Sequence, residues 1–386
     1  MPLIVAKFRL SRGAAASVEA GHPWVFREEP ALHPPGAVVE LADGKGRRIA
    51  WGLADEGPIA FRVLGCGPRE EIPALLAARI RAADEVRRAI LDASTDAMRI
   101  VAGAGDGLDG LVVDRYGAVA VLRVYARAWE PWLDAIVAAI SALPWCTTVL
   151  RRFGVARVDG REGGETLAGP TPPESLVVHE RGMALLVRPL TGQKTGLFLD
   201  QREHRALVHS WARDRHVANL FGYTGAFSVA AALGGARRVV TVDLAADAVD
   251  EARENFRLND IDPELHGFEV ADAFTWRSSE PIDFLILDPP SLAHDKRTER
   301  AAVAAYRKLH RHHGSALSDG ALLATSSCTS RVSVETWRAA VTEGLETTGA
   351  WSWHWTSTEP PDHPTALGHP EGSYLKFALL RRRGPR

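Results

Sequence analysis

His216-Val-Ala-Asn-Leu-Phe-Gly-Tyr-Thr-Gly-Ala-Phe-Ser228, followed by Arg238-Val-Val-Thr-Val-Asp243, decides the fold of this chain. An apolar β-run enters a turn with two glycines, a helix starts near Ala226, and a second apolar run ends on an acid. That is a βαβ unit. Glycines at the first strand-to-helix turn let a ligand approach a helix N-terminus. Asp243 stands 21 residues after Gly222. An acid at that spacing can take both hydroxyls of a ribose. The turn is not G-x-G-x-x-G, which disfavours a dinucleotide.

The alternation continues downstream. A helix is expected from Ala245 to Asn259. The run Phe268–Ala271 precedes a short helix, Asp283–Asp288 precedes a helix over about 297–316, and Ala321–Thr325 precedes Val334–Leu345. Residues 174–386 therefore read as an α/β fold with a parallel, doubly wound sheet. Trp351–Trp355 and Tyr374–Leu380 close it as an antiparallel edge pair. Asp243, Asp272 and Asp288 end successive strands, on the edge where open α/β sheets bind ligands. One such acid alone would be read as a helix cap. Asp288-Pro-Pro290 holds a stiff, exposed backbone at a strand exit. Cys328, after Ser326-Ser327, emerges on the same edge and is placed to act as a nucleophile. Cys66 and Cys146 read as packing residues.

Upstream, residues 1–70 read as a small β domain. Gly36–Leu41 and Arg48–Gly52 flank the hairpin signal Asp43-Gly44, and Pro58–Leu64 is a further strand. Residues 71–173 read as a small α+β domain. Ile72–Leu91 carries helical apolar spacing at Leu75, Leu76, Ile80, Ala83, Val86 and Ile90. Trp132–Leu143 is a second amphipathic helix, with strands at Ile100, Leu111–Asp114 and Val119–Val124. Gly160–Pro173 reads as a linker or exposed loop.

Composition bounds the function. With 386 residues, 46% hydrophobic, 24% charged and a formal charge of −2, the chain is neither largely disordered nor wholly basic. A local basic face remains open: residues 296–313 sum to +5 through Lys296, Arg297, Arg300, Arg307, Lys308 and Arg311 against Glu299. His310, His312 and His313 stand beside them. Three cysteines make no disulfide framework, which points to a reducing, cytoplasmic setting. No apolar run approaches the ~18 residues of a membrane span, and Met1–Arg12 does not read as a signal peptide. Neither His-Glu-x-x-His nor a zinc cysteine spacing occurs, so no metal is expected. Trp351, Trp353 and Trp355 alternate and should share one packed face.

Four motifs together resemble the RlmI-like branch of class I S-adenosylmethionine-dependent 23S rRNA methyltransferases, which act on C5 of cytosine. They are Thr195–Glu203 (Thr-Gly-Leu-Phe-Leu-Asp-Gln-Arg-Glu), Asn219–Ser228, Asp288-Pro-Pro290 and Ser326-Ser-Cys328. Gly21–Phe26 resembles the start of that family's PUA domain, an RNA-binding β-barrel. Asp106–Gly117 resembles its central α+β domain, and Asp362-His-Pro364 with Tyr374-Leu-Lys376 its C-terminal signature. The resemblance implies a Rossmann-like C-terminal domain, S-adenosylmethionine as cofactor and large-subunit rRNA as partner. It leaves a homodimer open. Gly222 and Gly225 would pass the methionine part of the cofactor, with Asn219 and Phe221 in the same turn. Asp243 would bind the ribose and Asp272 the adenine amine. Asp200, Gln201 and Arg202 would lie near the methionine or target pocket. Asp288, with Pro289, would sit between cofactor and base, and Cys328 would be the nucleophile. Lys296, Arg297, Arg307 and Arg311 are the expected RNA contacts.

The sequence departs from the family at His204 (usually Asn), Ser291-Leu292 (Lys-Phe in the cytosine enzymes) and Thr329 (usually Ser). By the resemblance, the loop after Asp-Pro-Pro would touch the target base. Methylation of another rRNA base such as guanine N7 is therefore the alternative. A ribosome-assembly RNA-binding protein with a silent cofactor pocket is the reading from another class.

C5 of cytosine is a poor nucleophile. A thiolate adding at C6 moves electron density to C5. The thiol must ionise, which needs nearby cations or helix N-termini. Asp288 near N3 or the amine would stabilise the adduct.

Overall fold

Seven strands build the sheet that carries the candidate site: β1 (His216–Leu220), β2 (Arg238–Asp243), β3 (Gly267–Val270), β4 (Phe284–Leu287), β5 (Leu322–Ser327), β6 (Ala350–Ser357) and β7 (Lys376–Arg383). Their order is 3-2-1-4-5-7-6. The first five run parallel, and β7 pairs antiparallel with both β5 and β6. The order reverses between β1 and β4. Connections there leave to opposite faces and open a crevice at the strands' carboxyl ends. The computed structural model describes residues 6–28, 33–153, 163–192, 195–293 and 297–383.

Five helices cover the sheet: α1 (Arg202–Trp211), α2 (Ala226–Leu233), α3 (Ala246–Arg257), α4 (Glu299–Gly314) and α5 (Val334–Leu345). Helix α2 packs on α1 and α3, and α4 packs on α5. Strands buried on both faces need continuous apolar runs. Leu220, Phe284, Leu285, Ile286, Leu287, Leu322 and Leu323 are accordingly all buried. At Gly344 the two helices come so close that a Cβ would lie 2.6 Å from the Arg307 carbonyl oxygen.

Two local expectations fail here. The short helix after β3 is a turn. Asp272 caps it, its Oδ1 accepting from the Phe274 amide at 2.9 Å and its carbonyl from the Trp276 amide at 2.9 Å, a single turn that the chain does not extend. The tryptophans of β6 do not share one face. A bulge sets Trp353 opposite Leu380 but Trp355 opposite Leu379, and Trp355 is left 56% exposed.

Packing divides the chain into two units. This sheet and its helices belong to one of them, Met183–Leu186, Asp200–Pro360 and Ser373–Arg386. The other comprises Met1–Gly182, Val187–Leu199 and Pro361–Gly372. It holds two five-stranded sheets. The first is ordered Ala6–Arg9, Val38–Ala42, Arg48–Ala54, Ile59–Gly65, Trp24–Phe26. The second is ordered Gly164–Ala168, Thr148–Arg152, Val119–Val124, Leu111–Tyr116, Ala97–Ala102. The stretch read as a linker thus contributes an edge strand, Gly164–Ala168, antiparallel to Thr148–Arg152.

The helix Ile72–Ile90 also differs from its apolar pattern. Val86 and Ile90 are exposed, while Asp84 and Arg87 are buried. The polar pair is satisfied: Asp84 accepts from the Trp145 indole at 2.7 Å, and Arg87 pairs with Asp106 at 2.6 Å. Buried charge with such partners is tolerated in place of an apolar contact. Among the described residues no helix is long and apolar enough to cross a membrane.

Candidate active site

The turn after β1 is strained. Phe221 (φ 59°), Tyr223 (φ 47°) and Gly225 (φ 77°) all lie in the left-handed region. Non-glycine residues hold that conformation only where surroundings over-determine it. Here the Gly222 amide donates to the Val242 carbonyl at 2.9 Å. The Tyr223 amide donates to Asp243 Oδ2 at 2.8 Å, and Asn255 Nδ2 donates to the Thr224 carbonyl at 2.7 Å. Asn219 is buried beneath, its Nδ2 donating to Ser228 Oγ at 2.9 Å. A Cβ at Gly222 would lie 2.7 Å from Thr241 Cγ2, and one at Gly225 would lie 2.7 Å from Ala252 Cβ. The protein itself fills the space these glycines save.

Asp243 accepts a backbone amide on each oxygen, from Tyr223 and, at 3.0 Å, from Ala245. Each oxygen keeps a further lone pair, enough for a vicinal diol. Leu244, beside it, is 74% exposed. Asp272 is exposed one strand away, and Phe274 meets Phe221 edge-on at 5.1 Å. Two carboxylates with exposed apolar side chains between them suit a ribose and a flat, amine-bearing ring. The residues present therefore fit an adenosyl group. Leu244 and Phe274 were not singled out from sequence; the signal was an apolar residue directly after each strand-end acid or its turn.

At the end of β4, Pro289 is buried and the Asp288 carboxylate is held from two sides. Gln201 Nε2 donates to Asp288 Oδ1 at 3.0 Å, and the Ser326 hydroxyl donates to the same oxygen. Gln201 is oriented by His204, whose Nδ1 meets its Oε1. An amide oxygen only accepts, so Nδ1 carries the proton and the Gln201 amide nitrogen turns toward Asp288. His204 Nε2 then accepts from Ser357 Oγ at 2.9 Å, and the ring stacks on Phe377 at 4.0 Å. Burial pushes the His204 pKa down to about 3, against the pull of Asp200. The ring is therefore neutral. Asp200 accepts from the Tyr374 hydroxyl at 2.6 Å, and Arg202 is fully buried.

Cys328 follows β5, half-buried, and β5 pairs with β4 through Leu287 opposite Thr325. That register brings the Asp288 and Cys328 loops side by side. Thr329 ties them, accepting from the Leu292 amide at 3.1 Å. Tyr306 from α4 reaches the hydroxyls of Ser327 and Thr329, each at 2.8 Å. Burial pushes the Tyr306 pKa up to about 12, so it stays protonated. Lys376 Nζ donates to the carbonyls of Thr329 (2.8 Å) and Val332 (2.9 Å). Sequence reasoning gave Tyr306 no part in the site, and quoted Ser326 and Lys376 within motifs without a role. Tyr306, His310 and His313 do stand at i, i+4 and i+7, one face of a helix.

That face corrects the reading of the basic helix. His310 Nε2 meets Thr325 Oγ1 at 2.9 Å and His313 Nε2 meets the Ala273 carbonyl at 2.9 Å. Burial pushes both pKa values down to about 4, so neither adds positive charge near pH 7. Arg297, Lys308 and Arg311 are exposed. Arg307 is half-exposed and pairs with Glu343 of α5 at 2.6 Å. Lys296 lies outside the described residues. Among the described residues no cluster of three or more His, Cys, Asp or Glu could hold a metal.

Residues 138–336 match the family model described as S-adenosylmethionine-dependent methyltransferase, and residues 8–65 match a PUA-like domain. The chain is 35% identical to a ribosomal RNA large subunit methyltransferase of Deinococcus radiodurans, over 97% of each chain. It is 33% identical to the ribosomal RNA large subunit methyltransferase I of Cronobacter sakazakii, over 95% of this chain and 97% of that one. The chain belongs to the RlmI-like S-adenosylmethionine-dependent methyltransferase family. The methyltransferase also shares its fold with a Streptococcus mutans protein assigned as a SAM-dependent methyltransferase. The TM-score is 0.85 at 24% identity, over 98% of this chain and 100% of the other. Its cofactor is S-adenosylmethionine.

Proposed function

We propose that the methyltransferase methylates C5 of a cytosine in large-subunit ribosomal RNA, with Cys328 bonding transiently to C6. The observation that carries this reading is the adjacency of Cys328 and Asp288 on paired parallel strands, joined through Ser326 and Thr329. The names of the relatives support ribosomal RNA as the substrate.

Bound S-adenosylmethionine supplies an electrophilic sulfonium methyl. The chain's own residues do the rest. Asp243 accepts from the ribose hydroxyls and Asp272 from the adenine amine, with Phe221, Leu244 and Phe274 flanking the ring. Asn219, Gly222 and Gly225 shape the turn along the methionine part, and Asp200, Gln201 and Arg202 line the pocket toward the target. The Cys328 thiolate adds to C6 and moves electron density to C5. Asp288, with Pro289 behind it, faces N3 and the exocyclic amine; it carries a proton to N3 once the base enters, neutralising the charge that addition places there. Once C5 has taken the methyl from the sulfonium, which would leave as the neutral thioether, a base must take the C5 proton before the C6–sulfur bond breaks. Arg297, Arg307 and Arg311, with Lys296, are the RNA contacts of this reading. The same reading takes residues 1–70 as a PUA-like RNA-binding domain, 71–173 as a central α+β domain and 174–386 as the methyltransferase domain, in the cytoplasm.

Mass mapping of methylated nucleotides in rRNA from a deletion strain, complemented with wild type or Cys328→Ala, tests this. The expected result is one C5-methylcytosine restored by wild type and not by Cys328→Ala. Full C5 methylation by Cys328→Ala would remove the thiol from the mechanism. A methyl on another atom, such as guanine N7, would replace the target base.

A further inference from the structure

Lys376 is a buried ammonium that methyl transfer, as set out above, does not use. It begins β7, where it stands opposite Ser327 in the β5–β7 register, one residue before Cys328. The rest of that run, Phe377 to Leu380, is apolar and buried. Burying an ammonium among such residues costs several kcal/mol unless an anion compensates it. Its two hydrogen bonds, to the carbonyls of Thr329 and Val332, clamp the backbone just after Cys328. A neutral donor would serve those carbonyls at no such cost, so the charge needs its own explanation.

Among the described residues, three titratable groups face this corner besides Cys328. Tyr306 reaches in from α4 and stays protonated. Asp288, from the β4 loop, is a like charge to a thiolate. Glu359 acts on Lys376, but its carboxylate already accepts from the Tyr374 and Leu375 amides and from Ser373. Burial pulls the Lys376 pKa down, and Cys328, then Glu359, pull it back up. We infer that Lys376 is a positioning residue that fixes the Cys328 loop through two carbonyls and holds the Cys328 sulfur as a thiolate through its charge. The inference rests on the reading of Cys328 as nucleophile. The proton leaves the thiol for solvent before substrate binds, so the ion pair exists in the free protein.

Alkylation by iodoacetamide, followed against pH, reads this without cofactor or RNA. The full chain carrying Cys66→Ala and Cys146→Ala leaves Cys328 as the reacting thiol. The expected midpoint lies below the ~8.5 of an ordinary cysteine. Lys376→Gln keeps a donor for the carbonyls but removes the charge. It should raise the midpoint by about one unit, a roughly tenfold slower reaction at pH 7. Lys376→Arg, which keeps the charge, should restore most of the rate, and thermal melts of each variant report folding. A low midpoint that Lys376→Gln leaves in place would overturn the inference, as would an ordinary midpoint in the parent protein. The nucleophile reading fails on a different readout, retention of methylation by Cys328→Ala.

Discussion

At the scale of single residues, the orientation of one amide sets what Asp288 meets. The neutral His204 ring donates to Gln201 Oε1, so Gln201 presents N–H to Asp288 Oδ1. Replacing that donor with an acceptor removes a hydrogen bond and sets a second carboxylate against the first. Charge-assisted bonds of this kind contribute about 1.5–3 kcal/mol. Gln201→Glu should therefore slow single-turnover methyl transfer by about tenfold to a hundredfold, while Ser357→Ala, one bond further out, costs far less. Single-turnover assays at saturating RNA check both, and a Gln201→Glu rate equal to wild type would detach Asp288 from the reaction. The His204 departure from the family's asparagine was visible in the sequence. Its partner Ser357 was not, because 153 residues separate them and a β7 ring, Phe377, completes the contact.

At the scale of elements, α4 holds the Cys328 loop with uncharged groups. His310 donates through Nδ1 to the Tyr306 carbonyl at 2.7 Å and accepts through Nε2 from Thr325. Its pKa falls from the usual 6.5 to about 4, through burial. Between those values the unfolded chain binds the proton and the folded chain does not, so stability rises with pH. The contribution is fully present above pH 6.5 and is lost as pH falls toward 4. By linkage this amounts to something on the order of 3 kcal/mol. Thermal melts should show Tm level above pH 7 and falling below it. His310→Gln, which can keep both hydrogen bonds without titrating, should flatten that fall; an unchanged slope would place the titrating groups elsewhere. The helix itself was legible from the alternation of strands and helices. Which polar residues turned inward was not, because histidine counts as polar in the pattern and as a small aromatic in the packing. The β6 bulge misled in the same way. Alternation assigns faces only while register holds, and Trp355 sits past the shift.

For the molecule as a whole, the parallel strands of the α/β sheet were largely legible, because most are apolar runs ending in a polar turn, whereas their order across the sheet was not. The strand-end acids could be aligned on one edge before any coordinates. What escaped were pairings that close across long sequence separations, such as Lys376 on Thr329 and Asp84 with Trp145. The formal charge of −2 averages over strand-end acids and a basic helix beside them. A near-neutral whole gives no long-range attraction to RNA, so binding must come from local pairing of cations with phosphates. Lys308 and Arg311 are exposed on α4, whereas Arg307 is engaged by Glu343, and the exposed pair should dominate. Removing one cation from a phosphate lowers the slope of log affinity against log salt by about 0.7–0.9. Reversing Lys308 and Arg311 to Glu should therefore weaken binding to an rRNA fragment and flatten that slope by close to twice this amount. Reversing the exposed Arg81 and Arg213 changes the formal charge equally and serves as the control. Fluorescence anisotropy across a salt series separates the two cases. Equal weakening in both double variants would mean the overall field matters more than the helix, and unchanged binding in both would move the RNA surface off α4.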